Sequence, residues 1–312
     1  MISSLFGKSR PVNYILVLSL LFLFFLLLHL GSVSNSFETL GVLQGLLGLG
    51  CLLFSVFIVN FIVQRNQLTA THSYAMLLYA LLVIFFPETL ADPGLIFASF
   101  FLLLAHRRLI SLRSLRNPRG KIFDGALWIL VGSLFFSPLV FLLLLVWLYI
   151  YFYVPKQLNY WLIPFAAAGV VALMGWSAFY LAGDPGYLLR HFETSFQKFY
   201  LSGFSKGQWI KMAVFVFLVV LCTVLSFVRQ GKSGQGKLTQ LRLLLMGWVL
   251  VVLVIAFAGD NTGSAILLAF FPSAVFMARY LDSIRREYIR DILLTGFAVL
   301  SLLGFFLQWV AA

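Results

Sequence analysis

Charge is scarce in this chain. Only 10% of its 312 residues are charged, and ten acidic residues stand against 22 basic ones. With 62% hydrophobic residues and a mean hydropathy of +1.02, there is too little polar surface to coat a water-soluble fold. The surrounding medium is therefore lipid, and the soluble enzyme and soluble binding-module classes drop out. Cysteine is scarcer still. Cys51 and Cys222 both lie inside apolar runs, which excludes a disulfide framework and a cysteine-based metal site. The Gly-rich segment RQGKSGQGKL at 229–238 lacks the GKS/T ending of a phosphate-binding loop and no strand precedes it, so it reads as a flexible linker. Behind Lys8 and Arg10 the first apolar run meets no small-residue cleavage site, so a retained span is expected there rather than a signal peptide. No internal repeat is evident, although Phe-Phe-Pro occurs at both 85–87 and 270–272.

What the chain has in abundance is long apolar runs. A hydrocarbon core of about 30 Å takes about 20 helical residues. On that ruler the sequence predicts an all-α, polytopic transmembrane bundle forming one domain over 1–312. Eleven spans are expected, at 13–30, 43–63, 68–86, 94–110, 122–137, 138–154, 161–181, 209–228, 241–258, 264–281 and 289–310. The basic stretch Ala105–Lys121 carries six Arg or Lys in seventeen residues and no acid. Such a stretch between spans stays in the cytoplasm. With the N-terminus also inside, alternation leaves 18 of the 22 basic residues on the cytoplasmic side, and only Arg190, Lys198, Lys206 and Lys211 outside. Reading 122–154 as one Pro138-kinked helix of about 50 Å would overshoot the bilayer and reverse that charge balance. A hairpin is therefore expected there, and the C-terminus falls outside. The net charge of +12, gathered at span ends, points to anionic phospholipids rather than nucleic acid. A multi-pass location in a membrane follows.

Candidate functional groups are the ionisable residues a membrane penalises. Glu88 and Asp92 sit in PETLADPG between two length-limited spans, four residues apart, and could face one outward-open recess. With Glu38 they are the candidate catalytic carboxylates. The bland alternative is a Pro-flanked turn that ends two helices. Arg107, Arg108, Arg190, His191 and Asp260 are the candidate substrate-binding residues. The outer loop 182–208 spaces Leu188, Leu189, Phe192 and Phe196 as an amphipathic surface helix would; a lid over an outward pocket is the alternative. His29 and His191 are expected outside, His72 and His106 inside, which speaks against one histidine metal centre; no metal is assigned and no cofactor is nominated. Asp282, Glu287 and Asp291 interleave with Arg285, Arg286 and Arg290 and read as a salt-bridged cap.

The runs FFPETLADPGLIFASFFLLLAHRR and RRLISLRSLRNPRGKIFDGALWILVGSLFFSPLVFLL resemble an uncharacterised family of multi-spanning inner-membrane proteins of Bacteroidota type. Members of that family sometimes carry a β-carotene 15,15′-monooxygenase label, which implies iron held by several histidines. The architecture is also distantly similar to polytopic glycosyltransferases that use polyprenyl-phosphate sugars. That similarity implies outer-loop carboxylates such as Glu38, Glu88 and Asp92 near the first spans, one of them a general base toward an acceptor hydroxyl, with Arg107 or Arg190 on the phosphate. Three readings stand: an envelope protein handling a polyprenyl-linked substrate as glycosyltransferase or flippase, a non-catalytic scaffold or assembly factor, and a carotenoid-cleaving oxygenase. The last is disfavoured by the histidine distribution.

Overall fold

Prolines and the helical ruler set the element boundaries. The computed structural model describes residues 2–32, 39–197, 206–228, 235–258 and 263–311. Among the described residues there are helices and turns and no strand. In chain order the α-helices are α1 (Ile2–Phe6), α2 (Pro11–Ser32), α3 (Thr39–Arg65), α4 (Tyr74–Phe85), α5 (Pro93–Ile110), α6 (Pro118–Ser133) and α7 (Leu143–Tyr153). They continue with α8 (Leu158–Leu181), α9 (Tyr187–Gln197), α10 (Lys206–Val228), α11 (Gln235–Phe257), α12 (Phe270–Asp282) and α13 (Glu287–Ala311). Three of these, α2, α5 and α6, begin with proline, where its missing N–H leaves no bond unmade.

Among the described residues, eight segments are long and apolar enough to cross a membrane. They lie in α2, α3, α5, α8, α10, α11, α13 and the joined stretch Ser264–Asp282. The other three expected crossings take a different form. The run at 68–86 is helical only as α4, whose 12 residues reach about 18 Å, short of a bilayer core of about 30 Å. Gln67, at φ 51°, interrupts it on one side and Pro87 on the other. The run at 122–137 becomes α6, which stops at Ser133. Phe135 and Phe136 both donate backbone hydrogen bonds to the Gly132 carbonyl, and Phe136 turns extended two residues before Pro138. The run at 138–154 is a 3-10 turn, Ser137–Leu142, continued by α7. A break thus falls close to the expected hairpin point.

The chain divides into two compact units. Unit 1 comprises 1–96, 204–233 and 262–312; unit 2 comprises 97–203 and 234–261. In unit 1, α4 is central: it packs on α2, α3, α12 and α13, and every residue from Tyr74 to Ile84 is buried. A helix that is apolar all round belongs inside, and α4 needs no polar face. Asn60 of α3 donates to the Tyr14 hydroxyl of α2, a polar stitch between two otherwise apolar helices. In unit 2, α6 packs along α8, while α7 and α11 close the other flank. The close approach at Gly132 explains its residue type. A Cβ there would lie 2.5 Å from Leu139 Cδ2 and 3.4 Å from the Ala98 carbonyl oxygen, so a side chain would force these segments apart.

Candidate functional site

Glu88 occupies a place few carboxylates hold. α4 ends at Phe85, Phe86 leaves helical geometry, and Pro87 opens a 3-10 turn through Leu90. Thr89 ties the turn down, its hydroxyl donating to the Phe86 carbonyl at 2.7 Å. The turn carries the Glu88 side chain into unit 1, where only 10% of it remains exposed. Glu88 Oε1 lies 3.6 Å from Lys211 Nζ on α10, itself 26% exposed. That is an ion pair, but too long for a direct hydrogen bond. Glu88 Oε2 is buried, and no group among the described residues donates a hydrogen bond to it. A buried carboxylate so placed costs several kcal/mol unless its surroundings compensate. The wall around it is Phe86, Gln208, Lys211, Met212, Gly263 and Ile266, enclosing a cavity of about 20 Å³.

Asp92 takes a different role. Its Oδ1 accepts from Leu95 N at 3.2 Å, as an N-cap carboxylate does, at the positive end of α5. Glu88 and Asp92 are therefore engaged by different partners, one by a distant lysine and one by its own helix. Glu38 and Asp260 lie outside the described residues. Lys211, the group Glu88 meets, was not nominated from sequence; it is 123 residues away, and no local pattern announces the pairing.

The basic stretch of unit 2 is a folded element rather than a loose loop. Leu115 and Asn117 adopt left-handed backbone at φ 53° and 46°, and Asn117 Oδ1 caps α6 by accepting from Gly120 N at 3.3 Å. Asparagine tolerates that region; leucine rarely does. Arg113 donates to the buried Gln240 at 3.0 Å, and Gln240 donates on to the Ile110 carbonyl at 3.3 Å. Lys121 Nζ donates to the Ser111 carbonyl at 2.7 Å and the Ser114 hydroxyl at 2.6 Å. Partial burial, with Arg108 and Arg116 nearby, pushes the Lys121 ammonium below the usual lysine range. Arg107 is exposed. Arg108 pairs with Asp124 at 3.0 Å, both well exposed.

Arg190 and His191 sit on α9. Arg190 pairs with Asp184 just ahead of the helix. His191 Nε2 donates to the Ser133 carbonyl at 3.1 Å, and the ring stacks on Tyr187, one turn back, at 5.7 Å between centroids. Beneath α9 lies a groove of about 660 Å³. Leu134 of the turn after α6, Val171 and Trp176 of α8, and Leu188 and Phe192 of α9 form its walls, with Glu193 at the edge. Ser133, whose carbonyl holds His191, lines it too. Of the apolar residues at helical spacing, Leu188 and Phe192 thus line the groove, whereas Leu189 at its edge is 71% exposed.

Two further sites depart from the sequence reading. Asp282 does not join an arginine cap. One of its carboxylate oxygens receives His72 Nε2–H, and the other accepts from Ala70 N at 3.0 Å. His72 Nδ1 accepts from Tyr74 N at 3.3 Å, which leaves the proton on Nε2 and fixes the tautomer. Nearby, the Arg279 guanidinium donates to the Leu68 carbonyl. Asp291 turns to Ser3 N at 2.7 Å. Of the interleaved charges, Glu287 and Arg290 do pair, at 3.3 Å. Among the described residues, no group of three or more His, Cys, Asp or Glu side chains converges as metal ligands would.

No curated protein and no solved structure matches the chain. A family model described as a family of unknown function, DUF6427, matches residues 1–312. The chain belongs to that family.

Proposed function

We propose that this membrane protein handles an anionic amphiphile with a long hydrocarbon chain, of the polyprenyl-phosphate class, in a bacterial inner membrane. The groove under α9 carries the reading. Its volume of about 660 Å³ falls in the range of small-molecule sites, about 300–1,000 Å³, and its wall is almost wholly apolar, as a prenyl or acyl chain requires. The groove's helix also bears Arg190. A phosphate can compete with Asp184 for that guanidinium, since planar bidentate donors suit both anions. The expected topology, with eleven crossings, a cytoplasmic N-terminus and basic stretch, and an outer C-terminus, puts α9 at the outer surface. Anionic phospholipid then contacts Arg107 and its basic neighbours on the inner side. In the enzymatic form of this reading a carboxylate acts as general base toward an acceptor hydroxyl; in the flippase form no base is required.

A photoreactive polyprenyl phosphate, with the reactive group on its tail, tests this directly. Cross-links should map to Leu188, Phe192 and the facing turn of α8. Ala172→Trp, at an exposed position that lines the groove, should remove them while the protein still accumulates in the membrane. Cross-links spread evenly over the apolar surface, or unchanged by the substitution, would leave the scaffold reading in its place.

A further inference from the structure

We infer that Glu88, Lys211 and Gln208 form a binding site for a single water or hydroxyl oxygen inside unit 1. The inference stands on the geometry around Glu88 alone and does not depend on the groove or on any lipid. Three observations carry it. Nine-tenths of the Glu88 side chain is buried, and its Oε2 receives no hydrogen bond from any described residue. Its Oε1 lies 3.6 Å from Lys211 Nζ, beyond direct hydrogen-bond reach. The cavity that both residues line measures about 20 Å³.

Those numbers fit one ligand class. A cavity needs roughly 10–15 Å³ to hold a water, and the water needs two to four polar partners. Here a water has a carboxylate to donate to, an ammonium to accept from, and the Gln208 side-chain amide beside them. A polar contact beyond about 3.5 Å leaves room for a water shared by both groups. A metal cation does not fit, because Lys211 already supplies the positive charge and Glu88 is the one carboxylate among the described residues lining the cavity. An anion would meet Glu88. A larger organic group exceeds the space. The oxygen bound there must donate at least one proton, because an ionised carboxylate only accepts.

The surroundings provide a reporter. Met212 lines the same cavity, and thioethers oxidise readily. Met76, fully buried on α4, is the dry control. In the purified full-length protein, radiolysis generates hydroxyl radicals from waters in place. Met212 should be oxidised while Met76 stays protected. Glu88→Gln, which keeps an acceptor, should retain the labelling; Glu88→Leu should lose it. Met212 as protected as Met76, or labelled equally in the Leu variant, would overturn the site. Because the Leu variant could fail to fold, the unaltered protein supplies a second reading. An experimental map that resolves other internal waters should show a peak within hydrogen-bond distance of both the Glu88 carboxylate and Lys211 Nζ. A map of that quality without the peak would also overturn it.

Discussion

The two units treat charge in opposite ways. Unit 1 draws ionisable groups inside and joins partners far apart in sequence, Glu88 to Lys211 and His72 to Asp282, beside an exposed local pair, Glu287–Arg290. Unit 2 keeps its pairs at the surface and close in sequence or on adjoining helices, as with Arg108–Asp124 and Arg190–Asp184. Its interior surface instead forms an apolar groove. Burial decides what each pair is worth. An exposed pair contributes about 0–1 kcal/mol, whereas removing one member of a buried pair costs about 3–5 kcal/mol. Unit 1 should therefore be sensitive to single charge removals, and unit 2 tolerant of them.

The largest effect is expected at Asp282. It receives both the His72 ring and the Ala70 amide, fastening the turn before α4 to the end of α12. Asp282→Ala should cost about 3 kcal/mol, the lower end for a buried pair because Asp282 is itself 21% exposed. A drop in thermal unfolding temperature in detergent would register it. Asp282→Asn keeps one acceptor for the ring and should recover part of the loss. Equal loss in both variants would mean that charge, not the hydrogen bond, holds the turn.

Lys211→Met comes next. It strands a nine-tenths-buried carboxylate, at a cost of about 2 kcal/mol, below the buried-pair range because Lys211 is 26% exposed and 3.6 Å away. Adding Glu88→Gln in the same chain should restore most of the stability, because the uncompensated charge is gone. A double variant no more stable than Lys211→Met alone would show that the two side chains do not interact. The smallest effect belongs to unit 2. Arg108→Gln should change stability by no more than about 0.5 kcal/mol, as an exposed pair allows. A loss near that of Lys211→Met would erase the contrast between the units.

Much of the fold was legible because hydrophobic length is a local property. The eight long apolar helices coincide with eight of the expected runs, and α9 falls within the loop where Leu188, Leu189 and Phe192 recur at helical spacing. Helix ends were harder to read. The runs at 68–86 and 122–137 are apolar enough, but Gln67 and the Gly132–Phe136 turn cut them short. Backbone geometry at single residues does not register in mean hydropathy. At the candidate site, sequence singled out Glu88 because Pro87 and the short runs around it confine it. It also placed Lys211 and Glu88 on one side by alternation. It could not pair them, nor His72 with Asp282 at a separation of 210 residues. Asp92 shows the converse. Its proximity to Glu88 suggested a shared site, yet a carboxylate directly before Pro93 is also the usual start of a helix, and its bond to Leu95 N is of that kind.

On this reading the groove of unit 2 holds the chain of an anionic amphiphile. Its most direct measurement is the lipid content of the purified protein. The unaltered protein and Ala172→Trp would be extracted in parallel and their co-purifying amphiphiles quantified by mass spectrometry. One anionic, long-chain species should be enriched in the unaltered protein and depleted by about tenfold in the variant, equivalent to about 1.4 kcal/mol of binding. The same lipid profile in both proteins, matching the bulk membrane, would contradict it.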